Sequence, residues 1–113
     1  MQARLSYVIK FVADMDGAVR FHRDKLGLTL KFQSPEWSEF QTGDVGLALH
    51  AASAKDPAGS MRLGYGVEDV TTVYAAREAE GITFLSQPKP LHGRMLAAFL
   101  DSEGTECSIS GPG

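Results

Sequence analysis

The sequence predicts a single domain of the α+β class, built from two modules that each read strand, helix, strand, strand, strand. Two observations support this prediction. The same order of apolar stretches, helix caps and stop glycines occurs in both halves of the chain. The length of 113 residues, with 43% hydrophobic and 22% charged residues, is typical of one globular domain. A chain of this size buries about two thirds of its unfolded surface, so its core needs no metal or disulfide.

The first module is predicted over residues 4–51. Its opening strand, 5–12, is apolar and rich in β-branched and aromatic residues. Asp14 follows as a helix N-cap, and the helical spacing of apolar residues stops at Gly27, where a left-handed cap is expected. The remaining strands of this module are predicted over 28–33, 37–41 and 45–50.

The second module, residues 61–110, repeats this plan. An apolar strand over 63–67 precedes Asp69, which can cap a helix that ends at Gly81. The later elements are predicted as strands over 82–85, 94–100 and 105–110, with a loop over 86–94. Residues 52–60 are small and polar and form the expected linker between modules, and 111–113 are expected to fray.

Charge and hydropathy exclude several classes of function. Eleven Lys and Arg against 14 Asp and Glu give a net charge of −3, and the basic residues are scattered rather than clustered, which argues against nucleic-acid binding. No apolar run approaches the roughly 20 residues that span a bilayer, and the first residues lack the apolar core of a signal peptide. The single cysteine, Cys107, excludes an intramolecular disulfide. We therefore expect a cytoplasmic protein that binds neither nucleic acid nor membrane.

Short motifs recur along the chain in a characteristic order. They are Val12-Ala13-Asp14-Met15, Phe21-His22, Leu26-Gly27-Leu28, Trp37-Ser38-Glu39-Phe40, Thr42-Gly43-Asp44, Gly93-Arg94-Met95, Ala98-Phe99 and Asp101-Ser102-Glu103-Gly104. In this order and spacing, residues 5–109 resemble the vicinal oxygen chelate superfamily of glyoxalases, bleomycin-resistance proteins and extradiol dioxygenases. His22 replaces the usual tyrosine of the family pattern, and Ser102 stands where proline is common.

The resemblance implies that the two modules pair into one cupped mixed sheet, with helices on the outer face and a ligand cleft on the inner face. It also implies a homodimer, since family members commonly build their clefts in dimers and exposed sheet edges need covering. The expected partners are therefore a small molecule and a second copy of the chain.

Metal-dependent members of this superfamily take four ligands from the first and fourth strands of the two modules. The resemblance places Tyr7, His50, Arg62 and Ser108 at these positions. Only His50 is a good ligand, because Arg62 is a fixed cation, Ser108 is a weak donor and Tyr7 would have to lose a proton with a pKa near 10. We expect no metal and no cofactor, and a divalent ion at an atypical site is the alternative.

Strand alternation indicates which other side chains share the cleft. If Phe40 faces the core, then Trp37 and Glu39 face the other side of the same strand. An indole beside Tyr7 and His50 would form an aromatic wall, which is typical of small-molecule sites. The alternative is that Trp37 packs on the sheet or in a dimer interface.

Other residues of the second module favour a ligand on the same face. Gly64 and Gly66 alternate with Arg62 and leave space above the strand, and Ser108 lies on the cleft side of the last strand. Arg94 lies at the predicted rim, where it either reaches an anionic ligand or is solvated. Cys107, on the opposite side of the last strand, is expected to be a buried apolar residue.

The predicted function is metal-free binding of an aromatic or anionic small molecule in the cupped sheet. The residues predicted to bind it are Tyr7, Trp37, Glu39, His50, Arg62, Arg94 and Ser108. The alternative is an isomerase, lyase or dioxygenase of the same superfamily that uses His50 and Glu39 as acid and base, or an atypical metal site. A third hypothesis is a domain with a vestigial cleft that associates with a partner protein.

Overall fold

A computed structural model describes residues 2–113 and divides them into two compact units. The first unit is Ser6–Arg62, and the second is Leu63–Gly113 together with residues 2–5. Each unit contains a helical segment and a sheet, in the predicted order of one strand, a helix and three further strands. One strand of the second unit, Lys89–Leu91, lies later in the chain than the predicted strand over 82–85. The α+β class is therefore confirmed.

The first unit contains a four-stranded sheet with one helix packed against it. Its elements are β1 (Arg4–Val12), α1 (Met15–Arg20), a π-helical turn (Phe21–Lys25), β2 (Thr29–Phe32), β3 (Trp37–Gln41) and β4 (Gly46–Ala51). The strand order is β2-β3-β4-β1, in which only β1 and β4 run parallel. The Asp14 carboxylate caps α1 by accepting a hydrogen bond from the Gly17 N–H at 3.1 Å, as predicted.

The first unit has one buried cluster between α1 and the sheet, and a second, formed by Ile9, Phe11 and Ala48, on the opposite face. Val19 of α1 is buried with Phe40 and Leu49, which project from neighbouring strands toward the helix. The linker over 52–60 is fixed to β1 rather than loose, because the Gly59 N–H donates to the Phe11 carbonyl and the Phe11 N–H donates to the Ser60 carbonyl, both at 2.9 Å.

The second unit repeats the arrangement. Its elements are β5 (Met61–Gly66), α2 (Val70–Ala75), α3 (Arg77–Glu80), β6 (Lys89–Leu91), β7 (Arg94–Leu100) and β8 (Glu106–Pro112). The strand order is β5-β8-β7-β6, with β5 and β8 parallel. Asp69 caps α2 through the Thr72 N–H, and Val67, Val70, Ala97 and Ile109 form the buried core.

Three predictions about the second unit are corrected. Residues 82–85 form only one bridge, between Phe84 and Phe99, whereas part of the expected loop pairs with β7 as strand β6. Residues 111–112 do not fray, because Gly111 pairs with Met95 and continues β8. Gly111 is also required by close packing, since a Cβ there would lie 2.6 Å from the Val67 carbonyl oxygen.

Helices in the described part of the chain are short. Among residues 2–113, no helix is both long enough and apolar enough to cross a membrane.

Candidate functional site

The sheet of the first unit has one face covered by α1 and an opposite face that carries most of the predicted site residues. The register pairs Trp37 with His50, Glu39 with Ala48 and Tyr7 with Gly46, so these side chains share the opposite face. Phe40 and Leu49 alternate with them and pack beneath α1. The predicted facing of β3 and β4 is therefore observed.

Four rings lie together on this opposite face, which we call the aromatic face: Tyr7, Phe11, Trp37 and His50. The Tyr7 and Trp37 centroids are 6.0 Å apart in an edge-to-face arrangement, and those of Trp37 and His50 are 5.8 Å apart at 87°. Phe11 lies 5.1 Å from His50. Tyr7, Trp37 and His50 are each only half-buried in this structure, so the face presents apolar ring surface with polar groups at its edges.

Gly46 allows Tyr7 to lie close to the sheet. A Cβ at position 46 would come within 3.2 Å of two carbons of the Tyr7 ring. Any larger residue there would push the ring away from the strand, so the glycine helps to place the phenol on the aromatic face.

The hydrogen bonding of His50 defines how its ring can act. Its Nδ1 is 2.8 Å from the Ala51 carbonyl oxygen, which can only accept. In the neutral imidazole Nδ1 therefore carries the proton, and Nε2 is the acceptor. Within residues 2–113 no side chain or backbone group hydrogen-bonds to Nε2, which leaves this nitrogen available to a ligand or a proton.

Glu39 supports Trp37 rather than His50. One carboxylate oxygen accepts a hydrogen bond from the Trp37 indole N–H at 2.9 Å, and the other lies 3.5 Å from the Lys31 ammonium. The Glu39 side chain is 12% exposed. In the described chain it makes no hydrogen bond to His50, so the predicted acid and base pair is not joined directly in this structure.

Arg62 is held on the aromatic face by the linker. Its guanidinium donates to the Asp56 carboxylate at 2.7 Å and lies 5.2 Å from the centre of the Phe11 ring. Asp56 was not predicted as a partner of Arg62, because the small and polar residues 52–60 indicated only a linker.

The residues at the family's metal positions do not fit a divalent ion. His50 supplies the one strong donor, and Arg62 places a positive charge on the same face. Across residues 2–113 no three His, Cys, Asp or Glu side chains are close enough together to hold a metal.

The second unit has a face formed by the residues of β5, β7 and β8 that point away from α2, where Gly64, Gly66 and Ser110 are buried and Arg94 and Ser108 are half-buried. Ser108 lies there, paired with Gly64 and Ala98 in the strand register. Arg94 is half-buried within β7 rather than in a rim loop, and its guanidinium lies 3.4 Å from the Ser110 hydroxyl oxygen. We call this surface the polar face.

Arg4 is a residue of the polar face that the sequence analysis missed. A Cβ at position 66 would lie 3.1 Å from the guanidinium carbon of Arg4, so the guanidinium rests on the surface that Gly66 leaves bare. The available signal was the alternation of Gly64 and Gly66, which indicated empty space but not the residue that fills it.

Two further residues of the sequence analysis have structural roles. Cys107 is buried, as predicted, with its sulfur 3.8 Å from an Asp101 carboxylate oxygen. His22, which departs from the family pattern, is half-buried: its Nδ1 is 2.7 Å from the Ala18 carbonyl oxygen, and its ring makes a tilted contact with Phe40, with the centroids 5.6 Å apart.

Comparison with known proteins relates this geometry to a family. The family model described as Glyoxalase/Bleomycin resistance protein/Dioxygenase superfamily matches residues 4–109. No curated protein sequence matches the chain.

Solved structures similar to the chain have low sequence identity to it. A hypothetical protein from Bacillus halodurans C-125 has a TM-score of 0.83 at 12% identity, covering 100% of this chain and 96% of the other. A methylmalonyl-CoA epimerase in complex with methylmalonyl-CoA and NH4+ has a TM-score of 0.81 at 16% identity, covering 99% and 96%. The methylmalonyl-CoA epimerase from Mycobacterium tuberculosis has a TM-score of 0.79 at 16% identity, covering 96% and 87%. At this level of identity the similarity establishes the fold alone.

Proposed function

The chain belongs to the glyoxalase/bleomycin resistance protein/dioxygenase superfamily, and from this premise we propose that it binds an aromatic or anionic small molecule without a metal. The observation that carries the proposal is the aromatic face. Tyr7, Trp37 and His50 are half-buried, stand edge to face and flank one another on the side of the sheet opposite α1, beside the buried Phe11. Ring surfaces of this kind, with a few placed polar groups, are the usual lining of small-molecule sites.

The polar groups on the aromatic face give a ligand a defined orientation. The Glu39 carboxylate fixes the indole through its N–H, so the ring is preorganised and loses little freedom when a ligand stacks on it. His50 Nε2 can accept a hydrogen bond from a ligand hydroxyl. Arg62 adds a cation whose charge is partly balanced by Asp56. An aromatic ring in edge-to-face contact with two such side chains gains about 0.5–1.5 kcal/mol per ring pair beyond its buried area.

The first test uses Trp37 as a reporter, because it is the single tryptophan of the chain. We expect saturable quenching of its fluorescence when chelator-treated protein is titrated with benzoate, catechol or a wider panel of small aromatic compounds. Tyr7→Ala and His50→Ala should weaken the affinity about tenfold, the size expected for loss of one ring contact or hydrogen bond. Phe32→Ala, a substitution of an exposed ring on β2, is the matched control. Unchanged affinity in both site variants would refute the proposal.

The absence of a metal requirement is tested by thermal shift of chelator-stripped protein with nickel, zinc, manganese and, anaerobically, ferrous ions. A specific site would stabilise the native state by mass action. We expect no saturable rise in Tm for any of these ions. A saturable rise that disappears in His50→Ala would show that the metal-free proposal is wrong.

The orientation of His50 supports a second candidate function, that of an acid and base enzyme of the same superfamily. Its Nδ1 is held by the Ala51 carbonyl, so Nε2 is set to remove a proton. Structures similar to the chain include methylmalonyl-CoA epimerases, so acyl-CoA thioesters are the first compounds to try. Deuterium uptake next to the thioester carbonyl in D2O, reduced at least a hundredfold in His50→Gln, would establish this function. Equal uptake in both proteins would exclude His50 as the base.

A further inference from the structure

We propose that the polar face of the second unit binds an oxyanion of the phosphate class between the guanidinium groups of Arg4 and Arg94. The inference goes beyond the proposed function, because it concerns the polar face of the second unit and not the aromatic face of the first. The residues that form the site are Arg4, Gly66, Arg94, Ser108 and Ser110.

The two arginines lie over two residues that are paired across neighbouring strands. The Arg4 guanidinium rests on Gly66, with three of its atoms 3.1–3.4 Å from where a Cβ would stand. The Arg94 guanidinium lies 3.4 Å from the Ser110 hydroxyl oxygen. Gly66 and Ser110 are directly paired between β5 and β8, so both guanidinium groups are placed on neighbouring strands at one level of the same face.

These two cations have no acidic partner in the described chain. Neither Arg4 nor Arg94 forms an ion pair with any of residues 2–113. The acidic residue on the same face of β8 is Glu106, which has its own interactions and lies four residues before Ser110, about 13 Å away along the strand. The local field at Gly66 and Ser110 is therefore positive, in a chain whose net charge is −3.

The floor beneath the arginines suits an anion. Gly64 and Gly66 contribute no side chains, while Ser108 and Ser110 project hydroxyl groups at successive positions of the same face. Ser110 is 8% exposed, and its hydroxyl oxygen accepts a hydrogen bond from the Arg94 guanidinium at 3.4 Å, so its hydroxyl proton can be donated to an anion. Two planar guanidinium forks with hydroxyl donors match a tetrahedral dianion, because each fork can give two parallel charge-assisted hydrogen bonds.

The experiment is a titration with inorganic phosphate at constant ionic strength, followed by NMR of the arginine side-chain Nε–H resonances. We expect saturable shifts for Arg4 and Arg94, competition by sulfate, and weaker binding of acetate, which carries one charge. Arg4→Gln and Arg94→Gln should each weaken phosphate binding about tenfold. Arg20→Gln on the exposed side of α1 makes the same change in net charge and should leave the affinity unchanged.

Gly66→Ala gives a second test that does not alter charge. Its new methyl group would meet the flexible end of Arg4 and displace it, so we expect weaker phosphate binding with a melting temperature close to that of the wild type. A loss of affinity in Arg20→Gln equal to that in the site variants, or acetate binding as tight as phosphate binding, would overturn the inference.

The outcome can be separated from that of the proposed function. Absence of saturable phosphate shifts together with retained ligand quenching of Trp37 would overturn this inference alone. Phosphate binding that depends on Arg4 and Arg94, without quenching of Trp37 by any of the aromatic compounds, would overturn the aromatic-face proposal. The oxyanion site would then still be supported.

Discussion

Neighbouring residues on strand β3 have opposite environments, and this difference decides what each one does. Ser38 and Phe40 are completely buried on the side of α1. Trp37 and Glu39 are half-buried on the aromatic face, where the carboxylate holds the indole N–H. A substitution at Phe40 therefore acts on the core, whereas one at Trp37 acts first on the aromatic face.

We expect Phe40→Ala to lower the free energy of unfolding by about 3–5 kcal/mol, because it removes a ring that is 0% exposed and packed against Val19 and Leu49. The matched substitution Phe32→Ala removes a ring that is 46% exposed and should cost less than about 1 kcal/mol. Urea denaturation followed by circular dichroism measures both. Similar losses in the two variants would contradict the assignment of Phe40 to the core.

At the scale of elements, the turn between β7 and β8 is organised by one carboxylate. Asp101 accepts hydrogen bonds from the N–H groups of Thr105 at 3.0 Å and Glu103 at 2.9 Å, and Gly104 adopts a φ of 76°. The hydrogen bond from Thr105, followed by that from Glu103, lowers the pKa of Asp101 below its ordinary value of 3.8. The charged carboxylate therefore stabilises the hairpin that carries Ser108 and Ser110.

This shift predicts a pH dependence of stability. A carboxyl group with a lowered pKa in the folded state contributes stability that is present above its unfolded pKa and is lost as the pH falls through its folded pKa. Asp101→Asn should lower the Tm by about 2–5 °C at pH 7, and the difference from the wild type should shrink as the pH falls below 3.8.

The control for this prediction is Asp44→Asn, which changes the net charge equally. Asp44 is exposed, and its carboxylate accepts no hydrogen bond within residues 2–113. Thermal melts of the three proteins between pH 2.5 and 7 provide the comparison. A difference between Asp101→Asn and the wild type that stays constant over this range would argue against the charge of Asp101 as the cause.

At the scale of the whole molecule, exposed apolar side chains in both units favour self-association. Phe21 and Leu26 are 52–55% exposed in the first unit, and Leu85 and Leu91 are 50–52% exposed in the second. β2 and β6 are end strands, each paired with a single neighbour, and unpaired strand edges are commonly covered by another chain. We therefore propose a homodimer.

Light scattering after size-exclusion chromatography should give twice the mass of one chain at micromolar concentration. We expect either Leu26→Lys or Leu91→Lys to yield the single-chain mass, because a charge buried in a dimer interface would be desolvated without a partner. Lys55→Glu, on the linker, serves as the surface control. A single-chain mass for the wild-type protein would exclude the dimer.

Much of the fold follows from local patterns. Asp14 and Asp69 cap helices, Gly27 and Gly81 end helical segments with positive φ, and the alternation in β3 and β4 separates the core beneath α1 from the aromatic face. These features depend on periodicity and on short-range hydrogen bonds, which residues close together in the sequence determine. The order of motifs was also sufficient to identify the superfamily, since the family model covers residues 4–109.

The sequence by itself determined the two-module order, the helix caps and the faces of the strands around Trp37 and His50. Only the tertiary structure decided that Glu39 binds the indole of Trp37, that Asp56 pairs with Arg62, and that Arg4 lies on Gly66. The tertiary structure also decided that β6 pairs with β7 and that β8 extends to Pro112. The physical reason is that these contacts join side chains or strands through the folded sheet, so no local period or spacing specifies them.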